Sequence, residues 1–79
     1  MKIKVFLYDV LKTKLLPDSE ERLIEAELKT GATVQELVQY LNLPEEWVGL
    51  ILLNGRQVER KLVLSDQDNI VIFSPMAGG

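Results

Sequence analysis

Apolar residues alternate from Lys2 to Tyr8, with Ile3, Val5 and Leu7 on one face and Lys4, Phe6 and Tyr8 on the other. Period two with β-branched and aromatic residues predicts a strand. Arg22 to Leu28 alternates again: Ile24, Ala26 and Leu28 oppose Glu25 and Glu27. This second strand is half-exposed, and Lys29-Thr30-Gly31 breaks it. Between the two, Val10, Leu11, Leu15 and Leu16 suit a short helical turn, and Pro17-Asp18-Ser19 reads as a turn. The period then changes. Val34, Leu37, Val38 and Leu41 fall at i, i+3, i+4 and i+7, an amphipathic helix. Thr33-Val34-Gln35-Glu36 is a capping box at its start. Pro44 is expected to end the helix at about Asn42 or Leu43. Pro44 to Trp47 suits one further turn, with Trp47 as a lid on the core.

Leu50 to Leu53 is a third strand. Asn54-Gly55 is the dipeptide that a type I′ hairpin turn requires, because both residues tolerate positive φ. Arg56 to Val58 pairs back briefly. Leu62 and Leu64 are expected to pack under a loop. Ser65-Asp66-Gln67-Asp68 makes a polar turn, and Ile70 to Phe73 is the last strand. One helix must cover one face of this sheet. The expected architecture is a single α+β domain over residues 1–79. It has a mixed sheet of four to five strands and one main helix on one face. Both terminal strands are strongly apolar, which places them side by side in the centre, the β-grasp arrangement. If Ile3, Val5 and Leu7 pack under the helix, parity turns Phe6 and Tyr8 to the other face. The same parity sends Ile70 and Ile72 inward and Phe73 outward. Phe6, Tyr8, Phe73 and Met76 would then form an exposed apolar patch, unless the connection between the first two strands covers it.

Composition narrows the chemistry. The 79 residues include no cysteine and no histidine. Disulfides, thiolate nucleophiles and Ser-His or Cys-His catalysis within this chain are excluded. Ser19, Ser65 and Ser74 have no neighbouring base, and Gly31, Gly49 and Gly55 are too dispersed for a phosphate loop. Asp66 and Asp68 without further oxygen ligands are turn residues rather than a cation site. Asp9 interrupts the first apolar run too early for a signal peptide, and no stretch reaches transmembrane length. A cytoplasmic protein without membrane or nucleic-acid partners is expected, the last because the net charge is −3. Charge is uneven: Asp18 to Glu46 is acidic, whereas Arg56, Arg60 and Lys61 lie in a basic stretch; the individual charges read as ordinary solvated surface, and the sharper reading is a basic edge that steers a partner.

These absences direct attention to the C-terminal stretch Ser74-Pro75-Met76-Ala77-Gly78-Gly79. An α-carboxylate has a reference pKa of about 3.5, so it is ionised at neutral pH and needs activation before it reacts. Glycine suits an activated terminus. It lacks a Cβ, so it threads a narrow channel and leaves its carbonyl open to attack. Pro75 cannot donate a ladder hydrogen bond and keeps Ser74 extended, so it ends the strand and sends the tail outward. Four residues after Pro75 reach at most roughly 13–14 Å. Gly-Gly alone is also what an inert flexible end looks like. Its place directly after a buried strand raises the working reading.

The chain resembles the MoaD/ThiS family of ubiquitin-like sulfur carriers along its whole length, and most closely the molybdopterin branch. The resemblance is carried by Val5-Phe6-Leu7-Tyr8, Gly31-Ala32-Thr33-Val34 with Glu36-Leu37, Leu53-Asn54-Gly55 with Val58, and Asp66, Asp68 and Ile70 leading to Pro75-Met76-Ala77-Gly78-Gly79. The long connection between the first two strands favours that branch. Family members often carry Pro-Pro-Val in the tail; here Ser74 and Met76 depart from it. The resemblance implies that an ATP-using adenylating enzyme activates Gly79 and that a sulfur donor protein converts it to a thiocarboxylate. The large subunit of molybdopterin synthase then receives the tail, and sulfur passes to a pterin precursor. Gly79 carries the sulfur and Gly78 gives the slim approach. Phe6, Tyr8, Phe73, Pro75, Met76 and Ala77 meet the partners. The chain binds no cofactor itself and is no enzyme alone. The residues leave two further readings open, sulfur delivery to thiamine or another metabolite and a modifier joined to lysines; a fourth, a binding module with an inert tail, is set apart by Gly79 standing last.

Overall fold

Hydrogen-bond ladders follow the two-residue alternation. The computed structural model describes residues 1–8 and 23–75. Strand β1 is Lys2–Leu7 and β2 is Leu23–Glu27. Helix α1 spans Val34–Tyr40, and a 3₁₀ turn spans Glu45–Trp47. Strands β3, β4 and β5 are Ile51–Leu53, Arg56–Gln57 and Asn69–Ile72. The sheet order is β2-β1-β5-β3-β4. Strands β1 and β5 are parallel neighbours at the centre, and the other pairings are antiparallel. The β-grasp expectation holds. The short helical turn over Val10, Leu11, Leu15 and Leu16, the Pro17 turn, and the tail Met76 to Gly79 lie outside the described residues. None of the described helices is long and apolar enough to cross a membrane.

The core forms where sheet parity meets the helical stripe. Ile3, Val5 and Leu7 from β1 and Ile70 and Ile72 from β5 are completely buried with Val34 and Leu37 of α1. Each such side chain contributes about 1.5–3 kcal/mol through removal from water. Trp47 is half-buried and packs against this core, as the lid reading expects. On the opposite face of β1 and β2, Lys2 lies opposite Glu27 and Lys4 opposite Glu25. Cross-strand pairing of unlike charges supports this register.

The capping box is present in both directions. Glu36 N–H donates to Thr33 Oγ1 at 3.2 Å, and Thr33 N–H donates to Glu36 Oε1 at 3.4 Å. The other end of the helix differs from expectation. It stops at Tyr40, before the positions assigned from Pro44. Asn42 sits in the left-handed region at φ 57°. Its N–H donates to the Gln39 carbonyl at 3.0 Å, and Leu43 N–H donates to the Val38 carbonyl at 3.4 Å. These two bonds make a Schellman motif, with Asn42 in the place usually held by glycine. Asn42 stops the helix, and Pro44 only follows.

Three further expectations change. Strand β3 begins at Ile51, and Leu50 lies just outside it at the sheet end, 39% exposed. Leu62 does not pack under a loop: it is 37% exposed, and only Leu64 reaches the core. The backbone explains this. Leu62 carbonyl accepts from Val34 N–H and Leu64 N–H donates to Ala32 carbonyl, so this segment lies along the helix entry by its main chain. Finally, Arg60 is engaged rather than available for steering. Its guanidinium donates to both carboxylate oxygens of Glu45, at 2.9 and 3.2 Å, and to Gln35 Oε1 at 2.7 Å. Donation from Arg60 holds the Glu45 carboxyl below its ordinary pKa. Arg56 and Lys61 remain exposed. The Asn54-Gly55 turn is as expected, with φ 47° and 89°.

Candidate functional site at the exit of the C-terminal tail

Strand β5 leads the chain from the centre of the sheet towards the tail. After Ile72 the main chain is still tethered. Phe73 N–H donates to the Leu50 carbonyl at 3.0 Å, and Gly49 N–H donates to the Phe73 carbonyl at 2.8 Å. On the other side, Tyr8 N–H donates to the Ile72 carbonyl at 3.3 Å. Pro75 has no N–H to continue the ladder, and it is exposed. The strand therefore ends on a fixed point, and the tail departs from there.

Gly49 forms the seat of this exit. A Cβ at position 49 would lie 2.9 Å from Pro75 N, 2.9 Å from the Ser74 carbonyl carbon and 3.0 Å from the Phe73 oxygen. Only glycine admits the departing backbone so closely. Gly49 makes no phosphate loop with the dispersed Gly31 and Gly55, and its sequence alone does not show this close approach. The available signal was a glycine immediately before an apolar strand, outside any turn.

An apolar surface adjoins the exit. Pairing places Leu23, Phe6, Val71 and Leu52 in one row across four strands, on the sheet face opposite the helix. All four are half-buried. Beyond this row, nearer the tail, the Tyr8 and Phe73 rings stack with centroids 5.1 Å apart and planes inclined by 20°. The expected outward parity of Phe6, Tyr8 and Phe73 holds. The patch is half-buried rather than exposed, and stacking covers part of the Tyr8 and Phe73 rings; the connection between the first two strands lies outside the described residues. Met76, Ala77, Gly78 and Gly79 lie outside the described residues. Of the predicted partner-facing set, the structure thus gathers Phe6, Tyr8, Phe73 and Pro75 at one end of the sheet.

The far end of the same face is polar. Lys2, Lys4, Glu25 and Glu27 lie there. Asp66 Oδ1 accepts Lys2 N–H at 2.7 Å, and this bond is the first reason the Asp66 carboxyl lies below its ordinary pKa. Asp68 accepts from Ser65 N–H at 2.7 Å and from Asn54 Nδ2 at 3.3 Å. These carboxylates close the polar turn, as their sequence predicts.

Known proteins show the same build. SAMP1 from Haloferax volcanii matches over the full length of both chains with a TM-score of 0.74 and 18% identity. A protein assigned as molybdopterin converting factor subunit 1 from Pyrococcus furiosus matches at TM-score 0.76 and 25% identity. That match covers 96% of this chain and 99% of the other. A chain from the complex of subunits 1 and 2 of the molybdopterin-converting factor of Helicobacter pylori matches fully, at TM-score 0.65 and 24% identity. No curated protein matches by sequence. The ThiS family model matches residues 15–79, which includes the exit and the whole tail. With its ubiquitin-like fold and its Gly-Gly tail inside that match, the chain belongs to the ThiS family of ubiquitin-like sulfur carriers.

Proposed function

We propose that this protein carries sulfur on its Gly79 carboxyl group as the small subunit of a molybdopterin synthase. The observation that carries the reading is the family match running through Gly79, on a tail that leaves from a fixed point beside an apolar surface. The 25% likeness to the Pyrococcus furiosus subunit 1 supports the molybdopterin branch. The Helicobacter pylori fold relative is described as a complex of subunits 1 and 2, which supports a large-subunit partner.

The chemistry follows from the carboxylate. A Gly79 oxygen attacks the α-phosphorus of ATP in an adenylating enzyme, and pyrophosphate leaves. A sulfide equivalent from a sulfur donor protein attacks the acyl carbon; the bond to the AMP oxygen breaks and a thiocarboxylate remains. Inside the large subunit, the thiocarboxylate sulfur attacks a carbon of the pterin precursor and displaces the oxygen substituent bonded there, so that a thioester links the two. Water then attacks the acyl carbon, breaks its bond to sulfur and restores the carboxylate. This chain supplies the acyl group, the slim approach of Gly78 and Gly79, and the docking surface. The acids, bases and ATP site belong to the partners. Phe6, Tyr8 and Phe73, with Pro75, Met76 and Ala77, form that docking surface, since aromatic anchors dominate interface energies.

Intact mass tests the reading. Protein treated with ATP, the adenylating enzyme of the same organism and a sulfide source should gain one sulfur in place of one oxygen at Gly79. It should then return to the carboxylate with the large subunit and a pterin precursor. Ladders of lysine conjugates would support a protein modifier instead. Deleting Gly79 should abolish sulfur loading and leave the melting temperature unchanged. An unmodified mass under all these conditions would overturn the carrier reading.

A further inference from the structure

We propose that Gly49 is a positioning residue: it sets the direction in which the tail leaves the sheet, and through that direction the rate at which Gly79 is activated. The inference rests on the carrier reading above. Its ground is the seat itself. Gly49 N–H holds the Phe73 carbonyl at 2.8 Å, and the space a Cβ would fill is taken by the backbone of Phe73, Ser74 and Pro75. The three close atoms are all main chain, so no side-chain rotation relieves an added methyl group.

The backbone at one side of the clash has to move. Gly49 is flanked by Val48, which is buried in the core, and by Leu50, whose carbonyl is bonded to Phe73 N–H. Beyond the Phe73 carbonyl, no backbone hydrogen bond holds Ser74 or Pro75 among the described residues. The displacement therefore goes into Ser74 and Pro75, ahead of the four residues that reach the partner. A tail attached at the wrong angle carries its error outward. A misplacement of about 1 Å at reacting atoms can cost on the order of 10²-fold in rate. Phe6 and Tyr8 of the docking face lie outside the clash, and Phe73 meets it only through its carbonyl, so binding and chemistry should separate.

The experiment measures pyrophosphate release by the adenylating enzyme of the same organism, with ATP saturating and carrier concentration varied. For Gly49→Ala, we expect kcat to fall at least about tenfold with KM unchanged, the pattern of an interaction that acts after docking. Amide NMR shifts should change at residues 48–50 and 73–79 and stay in place across β1 and α1. Ser74→Gly leaves position 49 intact and loosens the exit; it should lower kcat by a smaller factor, again at constant KM. A wild-type kcat in both variants overturns the proposal. So does a raised KM with unchanged kcat, which would make Gly49 part of docking. Unfolding of Gly49→Ala together with wild-type kinetics of Ser74→Gly would assign Gly49 to the fold alone and also overturn it. If the wild-type protein releases no pyrophosphate, the carrier reading itself fails, which is a separate result.

Discussion

Asp66 shows how one side chain joins segments far apart in sequence. Its carboxylate accepts Lys2 N–H, and the next residue, Gln67, donates its own N–H to the Lys2 carbonyl at 2.7 Å. The start of β1 is thereby clamped to the turn before β5. Hydrogen bonding lowers the Asp66 pKa below 3.8, and the sign of the linkage follows. A carboxyl group with a depressed folded-state pKa adds stability above its unfolded value and loses it as pH falls through the folded one. The melting temperature of wild type should exceed that of Asp66→Ala at neutral pH. The gap should close as pH drops below 3.8 towards and past the depressed pKa. A gap that stays constant through that range would show that the bond lacks the expected charge dependence. The turn role of Asp66 was readable from its neighbours. Its partner, Lys2, was not, because the two lie 64 residues apart.

At the scale of elements, α1 has one end legible in local sequence and one end set by a subtler signal. The capping box needs only Thr33 and Glu36, three residues apart, so its pattern is visible directly. The far end turns on Asn42. A left-handed residue there is needed to form both Schellman bonds, and asparagine adopts that conformation more easily than most. Asn42→Val should cost about 1–2 kcal/mol in urea unfolding, because a β-branched residue resists positive φ. Asn42→Gly should leave the midpoint unchanged or raise it. Equal losses in both variants would mean that the asparagine side chain, rather than its backbone angle, matters. Pro44 looked like the terminator because proline is the stronger local signal. The helix had already ended by its own hydrogen bonding.

Across the whole molecule, the two faces of the sheet differ in what meets them. One face packs on α1. The other runs from Lys2, Lys4, Glu25 and Glu27 at one end to Tyr8 and Phe73 at the tail exit. An apolar surface adjoining a tethered tail suits a partner that grips the globule and draws in the last residues. Phe73→Ala should weaken the large subunit's binding at least tenfold, about 1.4 kcal/mol. Loss of its stack with Tyr8 should cost about 0.5–1.5 kcal/mol of stability, so the fold survives. Val63→Ala, at a 56% exposed position away from this face, serves as control and should leave affinity unchanged. Titration calorimetry on folded variants checks both. Equal affinities for wild type and Phe73→Ala would remove the aromatic surface from the interface.

Period-two strands, the capped helix, the Asn54-Gly55 turn and the choice of central strands were all written in local pattern. Each depends on which faces of short segments are apolar, or on backbone angles that few residues adopt. The missing cysteine and histidine likewise removed whole classes of chemistry without any coordinates. Tertiary structure alone decided the rest. It placed Gly49 under the Phe73–Pro75 backbone, paired Arg60 with Glu45, turned Leu62 outward and brought Tyr8 onto Phe73. All four depend on distances between segments remote in the chain, and no local pattern encodes those distances. The Gly-Gly tail is thus legible in the sequence, while the seat of the backbone that leads to it, against Gly49, is a property of the folded sheet.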